Sequence, residues 1–142
     1  MGDSSGGGGV CVAGAFPMKT GVLLFCHGAR DPNWARPFEA VLARVREHSP
    51  DVAVSLAFLE FMTPGLLQAG HEIVALGCTH VEVVPLFLGT GGHVRKDLPV
   101  LIDQLSQAHP QVSWKVRPSI GEAAGVIAAM ADAALLGLSL KT

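Results

Sequence analysis

Four short apolar runs, each followed by a stretch whose apolar residues recur at helical spacing, organise this chain. The first run covers about 21–26 (Gly-Val-Leu-Leu-Phe-Cys), and its unbroken apolar character predicts a strand buried on both faces. A helix is predicted over about 33–48. There Trp34, Phe38, Val41, Leu42 and Val45 share one face, Arg36, Glu39, Arg44 and Arg46 point elsewhere, and Pro32 and Asn33 supply start signals. Ser49-Pro50-Asp51 breaks it. The second strand falls at about 52–59. After Thr63-Pro64 a second helix carries Leu66, Leu67, Ile73 and Leu76 and is closed by Gly77. The third strand is predicted at about 81–88, and the third helix at about 95–108 through Leu98, Leu101, Ile102 and Leu105. A fourth strand at about 112–116 precedes an alanine-rich helix from near 122 to near 136, ahead of Gly137.

This alternation implies a single doubly wound α/β domain: a four-stranded parallel sheet with helices on both faces, right-handed crossovers and strand order 2-1-3-4. Strands 1 and 3 then flank the point where the winding reverses, and such sheets open their binding crevice at the carboxyl edge there. The domain is expected over 20–138. Residues 1–19, with the run Asp3-Ser4-Ser5-Gly6-Gly7-Gly8-Gly9, are expected to be a flexible tail. Residues 139–142 are a short C-terminal tail.

Composition adds three points. Hydrophobic residues make up 49% and charged residues 15%, an apolar balance that implies a surface covered by another subunit, most simply a homodimer. The net charge of −2 carries no basic excess, which argues against nucleic acid or an anionic membrane as partner. No run approaches the ~18 apolar residues of a membrane span, and the start lacks the pattern of a signal peptide. Cys11, Cys26 and Cys78 form no CxxC pair, so reduced thiols and a cytoplasmic setting are expected.

The candidate chemistry gathers at the carboxyl edge. His27 follows the first strand and His93 the third, within Gly89-Thr90-Gly91-Gly92-His93, so the two imidazoles are expected across one crevice. Glu60 ends the second strand between Leu59 and Phe61. Two imidazoles and a carboxylate suit a divalent first-row ion with coordination positions left open. Gly28 lets backbone approach a ligand. Arg30, Arg95 and Lys96 share this edge, with Arg36 nearby, and form a cationic rim fitted to a polyanionic ligand; Gly91 and Gly92 join them as candidate substrate-binding positions. The glycine loop lacks a P-loop ending and the dinucleotide spacing. No Gly-x-Ser-x-Gly elbow is present, which leaves a hydrolase the weaker reading. Cys26 adjoins His27 but is expected on the opposite sheet face, in the core. His48 and His109 lie near helix ends, His71 on a helix surface, and His80 at the far end of the third strand.

The strings Leu24-Phe25-Cys26-His27-Gly28-Ala29-Arg30-Asp31, Ala57-Phe58-Leu59-Glu60 and Pro85-Leu86-Phe87-Leu88-Gly89-Thr90-Gly91-Gly92-His93-Val94-Arg95-Lys96-Asp97-Leu98-Pro99 resemble those of the short CbiX proteins, sirohydrochlorin cobaltochelatases of the class II chelatase superfamily. The resemblance spans about 20–136. It implies insertion of Co²⁺ into sirohydrochlorin in cobalamin or related tetrapyrrole synthesis, with no cofactor beyond the substrate metal. His27 and His93 would be the metal-binding histidines, and Glu60 the strand-end glutamate. Pyrrole protons would pass to one histidine or to Glu60. Relatives that insert nickel or iron keep Ni²⁺ and Fe²⁺ open, and a non-catalytic tetrapyrrole or metal carrier is the alternative of another class. Short forms of the family pair as homodimers.

Overall fold

The most apolar run, β1 (Thr20–Cys26), lies inside a four-stranded parallel sheet with a neighbour on each side: β2 (Ala53–Phe58) on one and β3 (His80–Pro85) on the other. Beyond β3 lies β4 (Ser113–Val116), giving the order β2-β1-β3-β4. This is the topology expected from the βα alternation. The computed structural model describes residues 18–138. The tails expected at 1–19 and 139–142, with Cys11, therefore fall outside the described residues except for Met18 and Lys19. No helix among the described residues is long and apolar enough to cross a membrane.

Helices α1 (Arg36–His48), α2 (Leu66–Ala75), α3 (Gly92–Ala108) and α4 (Ala124–Leu135) follow the strands in turn, with 3-10 turns at Pro32–Ala35 and Ile120–Glu122. The two faces of the sheet are covered unequally. On one face Leu23, Phe25, Val81 and Val83 meet α2 and α3 through Leu66, Ala69, Ile73, Leu98 and Leu105, forming the main core. Leu105 and Ile73 are almost fully buried, and truncating such a side chain to alanine typically costs about 2–5 kcal/mol. The two helices approach closely because residue 70 is glycine: a Cβ there would sit 2.6 Å from Leu105 Cδ2. The other face is thinner. Leu24, Val54 and Val84 meet only partly buried residues such as Leu42 and Val45, and α1 buries none of its residues.

Several boundaries depart from the sequence pattern for identifiable reasons. The first helix splits into a 3-10 turn followed by α1, because Pro37 has no N–H to bond back one turn. The turn is capped by Asp31, whose side chain accepts from the Asn33 N–H at 2.9 Å, and not by Pro32 or Asn33 themselves. The third strand ends at Pro85, three residues earlier than its apolar run, since proline cannot donate to the ladder. Leu86 keeps one bond, from its N–H to the Phe25 carbonyl at 2.8 Å, before the chain leaves the sheet and exposes Leu88. The third helix begins at Gly92, not near 95, which moves His93 from a loop into the first helical turn. The last helix begins at Ala124, after the 3-10 turn.

Across the thin face, Glu82 on β3 accepts from Arg117 Nη1 at 3.0 Å and lies 3.0 Å from His80 Nε2. The bond from His80, then that from Arg117, holds the Glu82 carboxyl below its ordinary value. A carboxyl depressed in the folded state stabilises the fold above the ordinary carboxylate pKa, and that contribution fades as pH falls through the lowered value. Glu82→Gln is therefore expected to be less stable than the parent at neutral pH, with the difference closing in acid below about pH 4. Urea unfolding at a series of pH values checks this; a gap that widens in acid would contradict it.

Candidate metal-handling edge

The β1–β2 ladder does not stop where the strands end. The Leu59 N–H donates to the Cys26 carbonyl at 2.8 Å, and the Glu60 N–H to the His27 carbonyl at 3.1 Å. Glu60 is thus clamped beside His27, and the side chains follow: His27 Nε2 lies 3.2 Å from Glu60 Oε2. The approach requires glycine at 28. Gly28 has φ +90°, and a Cβ there would overlap the Glu60 carbonyl oxygen. The His27 ring stands edge-on to Phe87 with centroids 6.2 Å apart, and Phe87 in turn packs edge-on against core Phe25 at 5.6 Å. The imidazole is anchored below yet half exposed above, at 51%.

His93 sits on the first turn of α3, with Gly91 as the N-cap and no capping side chain. Its Nε2 lies 3.1 Å from Asp97 Oδ2, one helical turn on, and the ring is 75% exposed. Asp97 was not singled out by sequence reasoning, because the helix was expected to start after His93. Once His93 is helical, the i, i+4 spacing to Asp97 is a direct signal. The edge thus holds two imidazole–carboxylate pairs, His27–Glu60 and His93–Asp97. Among the described residues no three His, Cys, Asp or Glu side chains converge on one point, so the expected grouping of His27, His93 and Glu60 is present only as its His27–Glu60 half.

The rim is partly organised. Arg30 lies over the ring of Phe61, the residue after Glu60, 4.5 Å from its centroid, a cation–π contact that orients the guanidinium. Phe61 itself is 56% exposed and has φ +66°, a conformation rare for an aromatic residue. Arg36, Arg95, Lys96, Gly91 and Gly92 are all exposed. Arg95 also lines a cavity of about 490 Å³ with Arg117, Glu122 and Ser119, between α3 and the chain after β4. Buried Ser119 meets Thr90 by a side-chain hydrogen bond, which ties the glycine loop to the start of the second 3-10 turn.

Among the described residues no cysteine takes part at this edge. Cys26 is fully buried, as the alternation of side chains along β1 requires, and burial pushes its thiol up to about 12. Burial also raises the Cys78 thiol, with Lys19 pulling the other way. Gly28→Ala is expected to cost at least about 1–3 kcal/mol, since both the backbone conformation and the Glu60 carbonyl oppose a Cβ. Denaturant unfolding measures the loss; an unchanged midpoint would show that residues 59–60 are not held as described.

Known proteins resemble this chain in sequence and in fold. The CbiX family model matches residues 21–135. The sirohydrochlorin cobaltochelatase of Priestia megaterium is 32% identical over 108 residues, covering 76% of this chain and 35% of that protein. The sirohydrochlorin ferrochelatase of the same organism is 31% identical over 91 residues, covering 64% of this chain and 34% of that protein. The chain thus spans about a third of the length of these two relatives. A solved structure of a CbiX protein from Marinobacter aquaeolei VT8 superposes with a TM-score of 0.70 at 30% identity, covering 81% of this chain and 93% of that one. The chain belongs to the CbiX family.

Proposed function

We propose that this chain is a sirohydrochlorin chelatase that inserts Co²⁺. The observation that carries the reading is the repeated imidazole–carboxylate pair at one sheet edge. Histidines that ligate metal commonly donate their second ring N–H to a carboxylate, which fixes tautomer and orientation. In both pairs here the nitrogen facing the carboxylate is Nε2. Donation from Nε2 leaves Nδ1 unprotonated and able to bind an ion. Glu60 and Asp97 then act as positioning residues, and His27 and His93 as the ligands of the incoming metal, which is a substrate and has to be released to the macrocycle.

The exposed, unroofed edge suits a broad planar substrate better than a small one. Its carboxylates would lie on Arg30, held over Phe61, and on Arg95 and Lys96, with the backbone at Gly91 and Gly92 close by. Insertion displaces two pyrrole protons. Once the ion has left Nδ1 of His27, that nitrogen can take one proton while the Nε2 proton is shared with Glu60 3.2 Å away, and the His93–Asp97 pair can take the second proton in the same way. Relatives named for cobalt insertion and for iron insertion match this chain alike, covering 76% and 73% of it, and cobalt is the reading put to the test below. Nitrogen and oxygen donors alone would not rank cobalt above nickel.

His27→Ala and His93→Ala are each expected to abolish insertion while leaving the fold intact, since both rings are exposed. Glu60→Gln and Asp97→Asn should lower metal affinity by roughly 10–100-fold, the usual cost of losing an outer partner of a metal ligand. Absorbance of sirohydrochlorin with Co²⁺, Ni²⁺ or Fe²⁺ in turn reads both activity and metal choice. Near-normal insertion by the two alanine variants would falsify the assignment, and faster insertion of iron would overturn the choice of cobalt.

We further propose that the chain acts as a homodimer. Helix α4 reads Ala-Gly-Val-Ile-Ala-Ala-Met-Ala-Asp-Ala-Ala-Leu, yet none of its residues is buried. Ile127 and Leu135 are 52% and 54% exposed. A helix of this length is marginal in water without a packing surface. The thin face of the sheet and α1 lack cover as well, so a second copy supplies what each lacks. Light scattering at micromolar concentration is expected to give twice the chain mass, and Ile127→Glu with Met130→Glu to give a monomer; a monomeric parent would remove the proposal.

A further inference from the structure

At the opposite end of the sheet a second pair of histidines meets, unconnected with the edge described above. His71 lies on α2 and His109 is the C-cap of α3, 38 residues apart in sequence, and His71 Nδ1 lies 2.8 Å from His109 Nε2. The rings are inclined at 61° with centroids 5.0 Å apart. Neither position drew attention in the sequence, since each alone reads as an ordinary surface or helix-end histidine.

Three features make this pair more than a chance contact. It sits at a close helix–helix approach in the main core: Gly70 precedes His71, and Leu105, against which Gly70 packs, lies one turn before His109. The His109 backbone is fixed on both sides, its N–H donating to the Leu105 carbonyl at 2.9 Å and its carbonyl accepting from Val112 at 3.0 Å. The nearest acidic neighbour in sequence, Glu72, is turned to Gln68, whose Nε2 donates to it at 2.9 Å. Both histidines are thus presented by rigid elements with their ring nitrogens within hydrogen-bond distance, and a shared ion requires the exposed His71 ring to turn until both lone pairs meet at one point.

From this geometry we infer that His71 and His109 form a second, two-histidine site for a first-row divalent transition-metal ion. An ion bound at the usual ~2.0–2.1 Å to nitrogens 2.8 Å apart would subtend an N–metal–N angle of roughly 85–90°. That angle fits the octahedral or tetragonal preference of Co²⁺, Ni²⁺ and Cu²⁺. Tetrahedral Zn²⁺ would need the nitrogens to open by about 0.5 Å. Water completes the coordination, because no third His, Cys, Asp or Glu among the described residues joins the pair. The charge and proton balance is simple. The one N–H lying between two neutral rings moves through solvent to the other nitrogen of its own ring, and the ion takes its place with no net proton released. The site is therefore open and exchangeable, and a bound ion pins α2 to the end of α3.

The molecule carries its own reporter. The Trp114 ring centroid lies 6.3 Å from that of His109, close enough for a bound paramagnetic ion to quench its fluorescence, and Trp34→Phe removes the other indole. In that background Ni²⁺ is expected to quench Trp114 with saturation at one ion per chain, and to raise the melting temperature by mass action on the folded state. His71→Ala, at an exposed helical position, should weaken the quenching transition by at least about tenfold, as should His109→Ala. The double variant His27→Ala/His93→Ala should leave it unchanged, and His71→Ala should leave chelatase activity unchanged. This inference stands apart from the chelatase reading: quenching lost with His71 but kept without His27 and His93 supports it whatever the enzymatic result. Quenching that survives His71→Ala, or that disappears only when His27 and His93 are removed, overturns it. The melting-temperature shift in the His71 variant guards against a trivial loss from misfolding at His109.

Discussion

The structure depends on β1 being paired on both sides by parallel neighbours. A parallel strand in that position has no exposed edge and no free face, so its residues have to be apolar throughout, and Leu23, Leu24, Phe25 and Cys26 are. The chemistry is placed by what happens when this rule lapses. At His27 the strand leaves the covered region, a polar side chain follows the apolar run 21–26, and the ladder continues for two more backbone hydrogen bonds along residues 59 and 60. The histidine–glutamate pair is therefore a continuation of sheet pairing, positioned by main-chain geometry before any side chain makes a choice.

The second pair is positioned differently. His93 and Asp97 owe their meeting to helical periodicity alone, on a first turn that begins with two glycines. One imidazole is fixed by the sheet and the other rides on a helix end whose glycine loop is tied by the Thr90–Ser119 contact to the start of the second 3-10 turn. An edge built this way sets one imidazole by main-chain pairing in the sheet and the other by the first turn of a helix anchored in the main core through Val94, Leu98 and Leu105.

Much of this was legible in the sequence, and the misses share a cause. Strand order follows from alternating periods and the handedness of crossovers, and Glu60 was visible as the polar residue closing an apolar run. The placement of His93 on a loop failed because Gly91 and Gly92 are poor helix formers, so the pattern showed no helix until Arg95. Tertiary packing of Val94 and Leu98 overrides that local preference. With the helix start displaced, Asp97 lost its meaning. The His71–His109 contact is of another kind: no local pattern encodes it, because it exists only through the close packing of Gly70 against Leu105. The exposed apolar surface of α4 was foreshadowed only as an excess of hydrophobic residues in the composition, without an address.

The burial of Cys26 has a consequence for how the edge ages. Strand alternation turns the one thiol adjacent to His27 into the core, and its burial keeps it protonated far above neutral pH. Cys78 is buried as well. Among the described residues, a thiol-directed oxidant or alkylating reagent arriving at the carboxyl edge therefore finds no exposed cysteine to modify or cross-link.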